Sequence, residues 1–139
     1  MVYFGLRQWE PEEMEMVKAQ KILWYESKLC TPSALPQIKA GVEAYLFPDN
    51  KKTPYWISFD IDGVCHTEFK STGTPESVGI PLDFMLRFFE TFIPESVGMD
   101  FTEVNFALSS GEQTEKDKRT VRTIIEKVTE VVHSVAPRY

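Results

Sequence analysis

The sequence predicts an α+β domain, an antiparallel sheet of about four to five strands in the order (β)-α-β-β-β-α-β-α, with the helices packed mainly on one face. Three observations lead there. Apolar and polar residues alternate on both sides of Asp62-Gly63, as in a hairpin. Leu82, Met85, Leu86 and Phe89 recur at helical spacing behind Pro81. A longer helical stripe, Val121, Ile124, Ile125, Val128, Val131, Val132 and Val135, runs near the end. At 139 residues, 42% hydrophobic and 26% charged, residues 1–139 read as a single domain able to bury a core.

Taken in order, Val2 to Trp9 suits a short strand or packing arm. Trp9-Glu10-Pro11-Glu12-Glu13 starts a helix, with proline early and acids in the first turn. Apolar on two sides, it is drawn to about Lys28. Thr31-Pro32-Ser33-Ala34-Leu35-Pro36 breaks it, Val42 to Phe47 reads as a strand, and Pro48 to Pro54 as a polar loop. In the central hairpin, a loop of Ile61-Asp62-Gly63 pairs Phe59 with Cys65, Ile57 with Thr67 and Tyr55 with Phe69. That register puts the apolar side chains on one face and Trp56, Ser58, His66 and Glu68 on the other. It also assigns Gly63 a positive φ. Lys70 to Ile80 is a loop, Pro81 to Phe92 a core helix, and Asp100 to Leu108 a half-buried strand. The last helix runs from about Thr114, with Asp117 in capping-box spacing, to Ser134, and Pro137 lies just past it.

Composition narrows the function. Cys30 and Cys65 have no paired spacing, which suits reduced thiols in a cytoplasmic protein. No apolar run approaches the ~20 residues that cross a bilayer, and the N-terminus lacks signal-peptide features, so no membrane association is expected. The cysteines, His66 and His133 are too few for a zinc site, and neither a metal nor another cofactor is expected. Between Gly73 and Glu112 seven acids face one base, Arg87, so this segment holds the whole net charge of −6. Such a field argues against nucleic acid and for a partner protein with a basic surface. Glu76, Glu95, Asp100, Glu103 and the polar-face aromatic Trp56 are the candidate contact residues. The oligomeric state is left open.

On these grounds the expected function is a non-enzymatic, acidic binding module of the immunity, inhibitor or chaperone kind. The element order looks like that of the type III secretion chaperones and of several bacterial immunity proteins. The alternative rests on Phe59-Asp60-Ile61-Asp62-Gly63-Val64. This run resembles the first motif of the haloacid-dehalogenase superfamily, an apolar strand ending in Asp-x-Asp-Gly-Val. The resemblance implies a Mg²⁺-dependent phosphatase or phosphotransferase, with Asp60 as nucleophile, Asp62 as general acid/base, Ser109 in the second motif and Lys116 or Lys118 in the third. That family's acidic fourth motif has no counterpart here, and its first strand leads into a helix of a parallel sheet. Cys65 to Phe69 reads instead as a returning strand, which favours the hairpin. Ser58, His66 and Glu68 form a Ser/His/acid set without an oxyanion turn and read as cross-strand surface pairs. A third reading is a structural protein that self-associates through a sheet face or edge.

Overall fold

The computed structural model describes residues 1–135, and its strands pair in parallel. β1 (Val2–Leu6), α1 (Pro11–Ala19) and β2 (Leu23–Glu26) form one βαβ unit. After α2 (Leu35–Leu46), β3 (Tyr55–Asp60), α3 (Leu82–Phe92) and β4 (Ser96–Thr102) form a second, and α4 (Gly111–Val135) follows. No backbone ladder joins β1–β2 to β3–β4. The molecule is therefore α/β, and the expected antiparallel sheet is overturned.

The reason lies in what alternation can and cannot specify. Tyr55 to Phe59 does alternate, with Ile57 and Phe59 buried and Trp56 57% exposed. Alternation orients a strand's faces, yet it names neither the partner nor its direction. Phe59 lies beside Phe101 of β4, not Cys65, and the two rings stack with centroids 5.2 Å apart. Ile61-Asp62-Gly63 is a single 3-10 turn closed by Val64 N–H on the Ile61 carbonyl, and Gly63 lies outside the left-handed region. Cys65 to Phe69 is a turn as well: the Cys65 carbonyl accepts from Glu68 and Phe69, and the Phe69 ring goes into the core.

Two other elements change identity. The long first helix stops at Ala19, Lys21 turns through φ 53°, and Leu23-Trp24-Tyr25-Glu26 becomes β2. The helix with two apolar sides was thus a helix plus a strand, whose Tyr25 stacks on Phe4 at 5.3 Å. Val42 to Phe47, expected as a strand, is the end of α2 and its C-cap, with Val42 continuing the buried stripe of Leu35 and Ile38. Pro36 initiates that helix, because the first turn needs no intrahelical N–H bond. β4 begins at Ser96 and ends at Thr102, and the expected strand residues beyond it turn away, with a 3-10 turn at Phe106–Leu108. Pro137 falls outside the described residues.

The core is aromatic and centred on α3, which presents Phe84, Phe88, Phe89 and Phe92. Phe4 of β1 meets Phe88 edge-on at 4.9 Å, and Phe59 of β3 meets Phe89 at 5.2 Å. One helix thereby supports both strand pairs and brings their C-terminal ends together. Among the described residues no helix is long and apolar enough to cross a membrane.

Candidate active site

Parallel strands present their carboxyl ends on one side, the usual place for a ligand in an α/β sheet. β3 and β4 finish level, Asp60 beside Thr102. Beyond Asp60 the side chain of Ile61 is fully buried, and Asp60 and Asp62 flank it on the outside. Asp60 Oδ1 accepts the Asp62 N–H at 3.0 Å, which fixes the turn. The other strands add neighbours. Arg7, just past β1, places Nη2 3.2 Å from Asp62 Oδ1 and 3.4 Å from the Thr74 carbonyl. Thr74 Oγ1 donates to Asp62 Oδ2 at 2.5 Å. Glu103, just past β4, is held at φ 66°, a left-handed conformation that a glutamate adopts only at a cost.

The electrostatics at this end are unbalanced. Partial burial pushes the Asp60 carboxyl above the ordinary carboxylate range, and the charges of Asp62 and Glu103 push it further. The Asp62 N–H pulls the other way without cancelling them. Arg7 answers Asp62, while among the described residues neither Asp60 nor Glu103 has an ion-pair partner. A carboxylate cluster with unmet negative charge can hold a cation or a cationic substrate group.

Two close approaches shape the site. Ile80 N–H donates to the Gly63 carbonyl at 2.8 Å, and Cys65 N–H to the Ile80 carbonyl at 3.1 Å, so the loop before α3 runs against the strand end. A Cβ on Gly79 would lie 2.5 Å from the Val64 carbonyl carbon, which leaves room only for glycine. Glu68 Oε2 accepts the first helical N–H of α3, from Leu82, at 2.6 Å.

The residues expected to act as a docking face are largely answered within the chain. Trp56 stays exposed. Its indole lies over Gly98, on whose Cβ position it closes to 2.5 Å, and donates to Asp100 at 2.6 Å. That bond, with the Ser58 hydroxyl, holds the Asp100 carboxyl below its usual range. Glu95 pairs with Lys52 at 2.8 Å, Glu90 with Lys127 at 2.8 Å and Asp83 with Arg87 at 3.3 Å. Glu76 is half-buried, its carbonyl accepting His66 N–H. The acidic segment is thus partly answered by its own Arg87 and by Lys52 and Lys127 from elsewhere in the chain.

The dehalogenase-like set also comes apart. Asp60 and Asp62 stand together, but Ser109 Oγ bonds Ser71 and Thr114. Lys116 reaches the Thr67 carbonyl, and Lys118 pairs with Glu115. Ser58, His66 and Glu68 share no bond: Ser58 holds Asp100, Glu68 caps α3, and His66 Nδ1 is a buried atom without a partner among the described residues. Arg7 and Thr74 drew no notice in the sequence. The signal that could have found the strand end was Asp-x-Asp closing an apolar run, read with a parallel partner.

Comparison with known proteins settles the class. Residues 1–132 match the model of the Arginase family, so the chain belongs to that family. It is 30% identical to bovine (Bos taurus) arginase-1 over 127 residues, which is 90% of this chain and 38% of arginase-1. It superposes on the crystal structure of Helicobacter pylori arginase with a TM-score of 0.80 at 20% identity, over 94% of this chain and 43% of that one. On the agmatine ureohydrolase of Thermoplasma volcanium the TM-score is 0.71 at 22% identity, over 96% and 43%. The chain thus spans about two fifths of the length of these relatives. Membership in this family overturns both the non-enzymatic immunity- or chaperone-like module and the haloacid-dehalogenase phosphatase.

Proposed function

We propose that this chain forms part of the active site of a ureohydrolase, which releases urea from the guanidino group of arginine or agmatine. The observation that carries the reading is the seat of Arg7. A guanidinium already lies against Asp62, Nη2 to Oδ1 at 3.2 Å, beside the unanswered carboxylates of Asp60 and Glu103. Carboxylates bind a planar guanidinium through charge-assisted hydrogen bonds, and a second guanidinium would meet the same chemistry. The names of the relatives support arginine or agmatine as its source.

Asp60 and Asp62 are hard oxygen donors, the type that suits a divalent cation. Their number does not suffice: among the described residues no group of three His, Cys, Asp or Glu could hold a metal ion. Asp60 and Asp62 would hold such a cation only together with ligands beyond these two, and a cation bound there would supply Lewis-acid chemistry. What this chain contributes is binding and orientation. Asp60 and Glu103 supply negative charge to the guanidinium, and Thr74 and Arg7 fix the direction of Asp62. The free thiols of Cys30 and Cys65 support a cytoplasmic setting.

The test is urea release from arginine and from agmatine by the protein carrying this sequence, with divalent cations supplied. Cation-dependent release is expected, falling at least about 100-fold in Asp60→Asn, the scale of a lost electrostatic contact in an active site. No urea from either substrate, or undiminished release by Asp60→Asn, would overturn the reading.

A further inference from the structure

Asp117 is a fully buried carboxylate on α4 that the reading above does not use. Three donors hold it: Ser71 Oγ at 2.6 Å, Gln113 Nε2 at 2.7 Å and the Lys70 N–H at 3.3 Å. Among the described residues no cation pairs with it. A carboxylate buried without a counter-ion is costly unless its hydrogen bonds are complete; Gln113 supplies one from α4 itself, and the other two come from one short segment, Lys70-Ser71.

Ser71, itself fully buried, touches both loops of the site. Its carbonyl accepts Asn105 N–H at 2.8 Å, two residues after Glu103 in its left-handed turn. Three residues after Ser71 comes Thr74, which donates to Asp62 and accepts from Arg7. Proton counting then gives the network a direction. A serine hydroxyl has one proton, and Asp117 takes that of Ser71. Ser109 Oγ, 2.6 Å from Ser71 Oγ, must therefore donate to it, and Thr114 Oγ1, 2.9 Å from Ser109, must donate in turn. Three hydroxyls are ordered toward one buried charge.

We propose that Asp117 is a positioning residue for the carboxylate site. By locking Ser71 it fixes the loop that orients Asp62 and the turn that presents Glu103. Its role in turnover rests on the ureohydrolase reading, whereas its hold on the two loops does not.

The experiment compares Asp117→Leu and Asp117→Asn with Thr120→Ala in the protein carrying this sequence. Thr120, one turn along α4, is also buried but bonds the Glu68 carbonyl, outside this network. Hydrogen exchange at the Asn105 amide and the kcat and KM for urea release are the readouts. Asp117→Leu is expected to speed Asn105 exchange and to cut kcat by about 100-fold, the cost of a ~1 Å misplacement. Asp117→Asn keeps an acceptor for Lys70 but turns its NH₂ toward Ser71, so an intermediate loss is expected. Thr120→Ala should change neither readout. Should the leucine variant not fold, Ser71→Ala removes the same bond with less disturbance and carries the same expectation. Unchanged Asn105 exchange in the Asp117 or Ser71 variants, or an equal kcat loss in Thr120→Ala, would overturn the positioning role. If the wild-type protein releases no urea, the ureohydrolase reading falls, and Asn105 exchange alone decides whether Asp117 holds the loops.

Discussion

Asp60 and Asp117 are both carboxylates that accept a backbone N–H, yet their surroundings differ in kind. Asp117 is fully buried and has three donors. Asp60 is exposed, has one such bond and faces two further carboxylates. Depth alone would single out Asp117 as the unusual group. Charge balance singles out Asp60, which has no ion-pair partner among the described residues and stands near the charges of Asp62 and Glu103. Functional tension in this molecule follows uncompensated charge more than burial.

The same chemical change at the two positions should break that comparison apart. Asp60→Asn is expected to abolish urea release, at least about 100-fold, while the fold is kept. Asp117→Asn is expected to act on stability first. It removes the charge that orders the hydroxyls and should lower the unfolding free energy by about 1–3 kcal/mol, measured by denaturant titration. A smaller effect of opposite sign should appear for Asp60. Its folded-state pKa lies above the ordinary value, so ionising it costs the folded protein stability. Asp60→Asn should therefore raise stability at neutral pH, by under about 1 kcal/mol given solvent screening. The gain should close as pH falls through the raised pKa toward the usual carboxylate range, because protonation relieves the wild-type protein too. A gain that instead widened in acid would refute the sign. The smallest effect on the fold separates the cysteines on the same logic. Burial pushes the Cys30 thiol up, whereas the Thr67 hydroxyl, 3.2 Å from the Cys65 sulfur, pulls that thiol down. Brief alkylation of the native protein should label Cys65 and spare Cys30, as mass spectrometry would show.

Local pattern was the legible part of this sequence. α3 and α4 follow directly from their apolar stripes, and Pro11 with Glu10 and Glu13 does open α1. What the pattern could not reveal was pairing. Asp62-Gly63 between alternating segments satisfies a hairpin rule as well as it satisfies a strand end, and the deciding contact, Phe59 on Phe101, lies far along the chain. Leu23 to Glu26 was hidden for a related reason: four residues beside a helix complete its apolar face on paper and become a strand only against Phe4. The site was half visible. Asp60 and Asp62 stood out as a pair, Glu103 was noticed for its charge alone, and Arg7, Thr74 and Asp117 acquire their roles from contacts between distant segments.

The two strand pairs share no ladder, and what joins them at the site is chiefly Arg7 on Asp62, with Phe4 against α3 and Gly5 against Ile80 behind it. Segments tied by side chains alone can come away below the free energy of global unfolding. The β1–α1–β2 unit is then expected to open on its own, its amides exchanging before those of Phe59 and Phe101 in a hydrogen-exchange measurement. Each such opening would also withdraw the guanidinium from Asp62, so the seam between the strand pairs and the freeing of that carboxylate are one event.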